Sequence, residues 1–271
     1  MKKRKKERRY CTCCTRKFYT DKMKEVYYPL LKKHHWHCQK CLSAFQDNLH
    51  LIPHEKERYL LELFSGSKTV SNTAAGLHQY RTFDIDIEEK YSPALCTDIL
   101  TMRLNQIPDR KKVFVVWASV PCTYYTILNL QDHWEKIVFS HRMYYYSPLS
   151  SEAKRSMQLL EKTLWLIKSI NPVYYFIENP RGALRHLAQM NFCPFRYTVS
   201  YSDFGSDIYK PTDIFTNCGF LQLPKIKTAV GRIFENSVQN LNNSYDRSVV
   251  PGNLISEILR QIDLHHSLGP T

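Results

Sequence analysis

The sequence predicts an α/β fold built on a mostly parallel sheet, with a small cysteine-rich module in front of it. Three observations lead there. An apolar run, Val113 to Ala118, ends in Ser119-Val120-Pro121-Cys122, and a second run, Val173 to Ile177, ends in Glu178-Asn179-Pro180. Continuous apolar runs of this length read as buried parallel strands, and reactive groups gather beyond the carboxyl ends of such strands. Between the runs, Met157, Leu160, Leu164, Ile167 and Ile170 recur at helical spacing, so a helix over Ser150 to Ser169 covers the sheet. Two buried strands therefore deliver a thiol and a carboxylate to one rim.

The chain has 271 residues and 43% hydrophobic content, enough for one full-sized catalytic domain and an appendage. We divide it into a basic tail (1–10), a zinc-ribbon-like module with its connector (11–55) and the catalytic domain (56–271), with a short insert near 218–246. The formal charge of +13 favours a polyanionic partner, nucleic acid first. Part of that charge lies in the tail, Lys2, Lys3, Arg4, Lys5, Lys6, Arg8 and Arg9, which equally suits a solubilising or nuclear-targeting role. No run approaches the roughly 18 apolar residues that span a bilayer. The basic start also lacks the apolar segment of a secretory signal, so no membrane partner and an intracellular location are expected.

Five of the nine cysteines fall between Cys11 and Cys41, a clustering that metal binding explains better than disulfides do. Cys11-Thr12-Cys13-Cys14 and Cys38-Gln39-Lys40-Cys41 put a Cys-x2-Cys pair at each end of a small segment. Two such knuckles close a tetrahedral zinc site, with one or two short hairpins between them. The preferred Zn2+ ligands are Cys11, Cys14, Cys38 and Cys41; Cys13 can replace Cys11, and His34, His35 or His37 can replace a thiolate. So short a segment needs the metal for its folding energy. Lys32, Lys33 and Lys40 alternate with Tyr27, Tyr28 and Trp36, a mixture that suits phosphate contact and base stacking as well as it suits a solvated surface.

The catalytic domain opens with a strand, Arg58 to Phe64, followed by Ser65-Gly66-Ser67-Lys68-Thr69 and a helical pattern through Ala75. A turn of small residues lets backbone approach a ligand, and the helix start offers unpaired N–H groups. A second strand, Tyr80 to Phe83, ends in Asp84-Ile85-Asp86; Asp84 is placed to receive ribose hydroxyls, and Asp86 to orient the loop or cap the next turn. Thr123 to Tyr146, rich in tyrosine and carrying His133, Trp134, His141 and Arg142, reads as a mobile loop over substrate or as a packed aromatic insertion. Ala183 to Met190 reads as a short helix, with Arg181 or Arg185 available to a phosphate.

The Pro-Cys and Glu-Asn pair, in this order among these segments, resembles the cytosine-5 DNA methyltransferase family over about Tyr59 to Ile262. Tyr197 to Asn217, including Lys210-Pro211-Thr212, is similar to phage and large-virus members in particular. The resemblance implies a Rossmann-like, S-adenosylmethionine-dependent domain with a mostly parallel seven-strand sheet and a terminal hairpin near Val199 to Thr216. It implies Cys122 as nucleophile toward cytosine C6 and Glu178 as its assisting acid. It implies Phe64, Ser65, Gly66, Ser67, Asp84, Asp98 and Asn253 as contacts to S-adenosyl-L-methionine, Asp98 toward the adenine amino group and Asn253 within the closing segment Arg247 to Ile255. Ser119, Pro121, Arg181 and Lys210 become substrate contacts.

The implied partner is DNA with one cytosine turned out of the stack, met by a monomer, in a host cytoplasm or nucleus if the chain is viral. Two positions depart from the pattern: Lys68 stands where a small residue is usual, and Tyr209 where an arginine precedes Lys-Pro-Thr. Lys210 supplies charge there without a guanidinium fork. These departures keep open a catalytically impaired nucleic-acid- or protein-binding module, and an RNA cytosine methyltransferase stays open because basic charge and a zinc finger do not distinguish the two polymers.

Overall fold

A computed structural model describes residues 8–10, 17–19, 23–28, 33–38, 58–77, 80–126, 129–140, 143–224 and 249–267. At the amino end, β1 (Arg8–Tyr10) pairs antiparallel with β2 (Lys17–Tyr19), and β3 (Met23–Tyr28) with β4 (Lys33–Cys38). β3 and β4 form a hairpin between the two cysteine pairs, whereas β1 falls in the stretch expected to be a basic tail. Cys11, Cys14 and Cys41 lie outside the described residues, and Cys38 is placed by its backbone alone, at the end of β4 opposite Met23.

The rest is a three-layer α/β domain. In chain order its elements are β5 (Arg58–Leu63), α1 (Thr69–Gly76), β6 (Tyr80–Asp86), β7 (Leu95–Cys96), β8 (Val113–Ser119), α2 (Leu130–His133), β9 (Trp134–Ser140), β10 (Met143–Pro148), α3 (Ser151–Ile170), β11 (Tyr174–Pro180), β12 (Phe195–Ser200), β13 (Pro211–Thr216) and α4 (Gly252–Ser267). Seven strands form one sheet in the order β12-β13-β11-β8-β5-β6-β7. From β11 through β7 all neighbours are parallel, and only β13 runs against its neighbours. The strand order reverses between β5 and β8, so the ligand crevice of such a sheet opens at their carboxyl ends.

Strand alternation sorts the core into two faces. Leu61, Leu63, Val116, Ala118 and Ile177 pack toward α3. Leu60, Val115, Trp117, Phe176 and Ile214 pack toward α1 and α4, meeting Val70, Ala74, Leu254 and Ile258. Ser150 caps α3, its hydroxyl accepting from the Ala153 N–H at 3.0 Å. The buried seam of α3 is Ala153, Ser156, Leu160, Thr163, Leu166, Ile167 and Ile170, slightly rotated from the expected one, so that Met157 and Leu164 pack at its margin.

Three expectations change. β6 runs on to Asp86, because Ile85 pairs with Leu63 and Asp86 with Cys96; Asp84 therefore lies inside the strand. Residues 183–192 form two 3-10 turns in place of a helix. The tyrosine-rich segment is an antiparallel hairpin, β9 with β10, anchored by buried Trp134 against Tyr125, which favours the packed insertion over the mobile loop. His141 and Arg142 are outside the described residues, as is 225–248, which holds most of the insert near 218–246. No described helix is long and apolar enough to cross a membrane.

Candidate functional site

The rim expected from the two apolar runs exists. β8 and β11 are adjacent and parallel with Glu178 in register with Ser119, so Cys122 leaves one strand end beside the carboxylate that leaves the other. The loop carrying Cys122 is bound to the exit of β11 at two points. Buried Asn179 donates from Nδ2 to the Val120 carbonyl at 2.7 Å. The Ala183 N–H donates to the Tyr125 carbonyl at 2.8 Å, and the Tyr125 N–H closes a turn on the Cys122 carbonyl at 2.9 Å. Gly182 makes that second contact possible, since a Cβ there would stand 2.0 Å from the Tyr125 oxygen.

Glu178 is 4% exposed and has buried company. The Tyr201 hydroxyl donates to its Oε1 at 2.7 Å, and Lys210 Nζ lies 4.0 Å from the same oxygen and 4.6 Å from the centre of the Tyr201 ring. Burial, then the Glu178 charge and hydrogen bond, push the Tyr201 hydroxyl well above its usual range, with the Cys122 thiol adding to the shift. Tyr201 thus stays a donor, and Lys210 offsets the cost of burying a carboxylate. Ser119 is partly engaged within the sheet, its oxygen accepting from the Trp117 indole at 3.2 Å. Pro121 is exposed beside Cys122, which is itself half-buried.

At the neighbouring crevice the backbone turns sharply after β5. Phe64 and Lys68 both have φ of 59° and Gly66 has φ of 45°, so two residues with side chains hold left-handed conformations. Such strain concentrates where a loop is shaped around a ligand. Asp86 shapes this loop, accepting from the Gly66 and Glu88 N–H groups, each at 2.8 Å. Asp84 is 5% exposed, and Ser65 Oγ, Lys68 Nζ and the Ala94 N–H converge on its Oδ2 at 3.4, 3.3 and 3.4 Å.

Asp98 is engaged through both oxygens, by the Leu100 N–H at 2.9 Å and by Arg155 at 2.8 Å. Asn253 ties α4 to the turn after β12 by donating to the Phe204 carbonyl at 3.1 Å, while the neighbouring Gly252 lies against Thr73 of α1. The residues around Asp84 and the turn 65–67 have the chemistry to hold a nucleoside: a carboxylate for a diol, and a backbone turn open to close approach. Lys68 is the one group there that does not fit.

A cationic cluster flanks the rim. Arg185 grips Asp213 with both arms, Nε reaching Oδ2 at 2.8 Å, and also reaches Thr198. Arg196, two residues before Thr198 on the same face of β12, feels that guanidinium: partial burial, then Arg185, lowers its value from the usual arginine range while Asp213 opposes the shift. His186 is lowered by burial, then by Arg185 and Arg196, with Lys136 contributing. Its ring stacks on Tyr144 at 4.6 Å, and Lys136 lies 4.1 Å over Tyr144 from the other strand of the hairpin. Arg181 is exposed at the end of β11, held by its N–H on the Pro211 carbonyl at 2.8 Å. Asp213, the acid whose charge opposes both shifts, is already taken by Arg185.

Tyr201, Gly182 and Arg196 are site residues that sequence reasoning missed. Tyr201 carried a signal only by its place just before Ser-Asp-Phe-Gly; the other two carried none until the strands were paired. Among the described residues no group of three or more His, Cys, Asp or Glu side chains is arranged to hold a metal.

No family model matches the chain, and no curated protein matches it. Among solved structures, one described as a structure analysis of the Entamoeba histolytica methyltransferase EhMeth is similar at 15% identity and a TM-score of 0.43, over 60% of this chain and 53% of that one. The chain thus spans about half the length of that protein.

Proposed function

We propose that the chain transfers a methyl group from S-adenosyl-L-methionine to C5 of a cytosine in DNA, as a cytosine-5 methyltransferase of the kind its motifs resemble. The observation that carries this reading is the convergence of Cys122, Glu178, Tyr201 and Lys210 at the ends of β8, β11, β12 and β13. A thiol and a hydrogen-bonded carboxylate on one rim suit covalent attack on a ring carbon with simultaneous control of a ring nitrogen. Cys122 thiolate adds to C6 of the cytosine, and Glu178 hydrogen-bonds the N3 side as negative charge develops toward C5. Tyr201 and Lys210 hold the Glu178 carboxylate in place by donating to Oε1 or lying beside it. The methyl donor, when bound, supplies an electrophilic carbon to C5; loss of the C5 proton and departure of Cys122 restore the aromatic ring.

The cofactor contacts in this reading are Phe64, Ser65, Gly66, Ser67 and Asp84, with Asn253 as a bracket behind the crevice. Asp98 already accepts from Leu100 and Arg155, one on each oxygen, and has acceptor capacity left to serve an adenine beside them. Substrate contacts fall to Pro121 and Arg181, and the cationic cluster of Arg196, Lys136 and His186 suits a phosphate strand passing the rim. Ser119 is left with a supporting role by its bond to Trp117, and Lys210 acts through Glu178. The zinc module with Cys11, Cys14, Cys38 and Cys41 remains part of the proposal, as does location in a host cytoplasm or nucleus for a viral chain.

A second reading, a catalytically impaired nucleic-acid-binding module, is favoured by one observation, the Lys68 ammonium on Asp84. Incubating the protein with labelled S-adenosyl-L-methionine and DNA or RNA panels, then mapping methylated bases, separates the readings. The proposed activity gives 5-methylcytosine in DNA that is lost in Cys122→Ser and reduced at least a hundredfold in Glu178→Ala. Product formed undiminished by Cys122→Ser removes the nucleophile, and equal transfer to RNA removes the preference for DNA.

A further inference from the structure

Lys68 sits at a backbone position that favours glycine, φ 59° and ψ 24°, and its carbonyl begins α1 by accepting from the Asn72 N–H at 2.9 Å. Its side chain, 27% exposed, folds back along the loop. Nζ donates to the Ser92 carbonyl at 2.9 Å and lies 3.3 Å from Asp84 Oδ2, so it stitches the turn after β5 to the segment that returns past β6. Ser65 and Ala94 approach the same carboxylate oxygen, which leaves Asp84 almost fully covered. A strained conformation is thereby spent on bringing a cation to the one buried carboxylate best suited to a ribose diol.

We infer that Lys68 is a latch across the nucleoside crevice, holding Asp84 Oδ2 so that a vicinal diol, which needs both carboxylate oxygens, makes its paired contact only by displacing the ammonium. The inference rests on the cofactor reading above and adds a determinant of affinity to it. Two costs then oppose binding: the Lys68–Asp84 pair must break, and the Ser92 carbonyl must lose its donor. Removing the ammonium removes both costs.

The test is calorimetric titration of the full chain with S-adenosyl-L-methionine, S-adenosylhomocysteine and adenosine, for the native protein, Lys68→Met and Lys68→Gly. Lys68→Met keeps the left-handed backbone under a side chain, whereas Lys68→Gly also relieves it, so agreement between the two isolates the ammonium. The latch gives both variants at least about tenfold tighter binding of all three ligands. Adding Asp84→Asn to Lys68→Met returns affinity to the native level or below. Native protein that binds as tightly as both variants overturns the latch and leaves the cofactor reading standing. A folded native protein and folded variants that all fail to bind any of the three ligands overturn both. Tighter binding by Lys68→Gly alone assigns the effect to backbone strain and overturns the latch.

Discussion

Asn179 and Val120 join the two chemically armed strand ends: the amide of one donates to the carbonyl of the other at 2.7 Å, with both residues buried. Through this bond the carboxylate of Glu178 and the thiol of Cys122 share a frame, because Asn179 follows the first and Val120 precedes the second by two residues. Asn179→Ala leaves the Val120 carbonyl buried without that donor, which costs about 1–3 kcal/mol. A lower melting temperature together with faster Cys122 alkylation is the expected pair of readouts. Unchanged alkylation would show that the loop is held elsewhere.

Gly182→Ala tests the second anchor. The added methyl meets the Tyr125 carbonyl at 2.0 Å, backbone against backbone, so the loop has to move away from β11 and lose the Ala183–Tyr125 bond. We expect destabilisation of about 2 kcal/mol or more in a denaturant melt, with a loss of the proposed methyl transfer larger than that of Asn179→Ala. Wild-type stability in Gly182→Ala would refute the close approach.

Two sets of buried ionisable groups give stability opposite pH slopes. Glu62, on β5 beneath α1, accepts from the Ser71 N–H at 2.8 Å, yet burial pushes its carboxyl from 4.5 up to about 7. The native state then binds more protons than the unfolded chain between those values, so this group lowers stability as pH rises from about 4.5 to 7, by roughly 3 kcal/mol in all. His265 and His266, at the end of α4, are pushed by burial from 6.5 down to about 4, so their stabilisation is full above 6.5 and is lost as pH falls toward 4. Glu62→Gln should raise the melting temperature above pH 7 and leave a steeper loss on acidification. A melting profile parallel to the native one at every pH would contradict the burial of a charged carboxylate.

The cationic cluster predicts a division of labour in nucleic-acid binding. Arg181→Ala and Arg196→Ala should each weaken DNA binding regardless of sequence and reduce the slope of log affinity against log salt by about 1. Arg185→Ala should lower stability instead, because it abandons the nearly inaccessible Asp213. Salt slopes unchanged by the first two substitutions would remove the cluster from the interface.

The parallel part of the sheet and the Cys122–Glu178 rim were legible because an apolar run that stops at a reactive side chain marks both a buried strand and its exposed end. The edge hairpin expected near Val199 to Thr216 is present as β12 and β13. What lay beyond reading was set by pairing across the sheet. Asp84 looked like a strand-end acid because Phe83 is the last aromatic of its run, but pairing to Leu63 and Cys96 carries the strand two residues past it. Three consecutive tyrosines, Tyr144 to Tyr146, show no alternation that would mark a strand, and the ring partners of this hairpin, His186 for Tyr144 and Tyr146 and Tyr125 for Trp134, come from flanking segments that no local pattern links to them. Tyr201 and Lys210 lie 23 and 32 residues beyond Glu178, so only the reversal of β13 brings them to it.

That reversal also decides where this rim can change. Because β13 runs against β11, the connection from Tyr201 to Lys210 emerges on the reactive side of the sheet, with both of its ends clamped on Glu178. Asp207 at its tip is exposed and can be replaced without disturbing a core residue, whereas Ser206 is tied by its N–H to the Tyr201 carbonyl at 3.2 Å and the clamped ends cannot slide. An evolving lineage therefore has a short, tethered stretch in which to alter the proposed substrate contacts while Glu178 beneath stays in register.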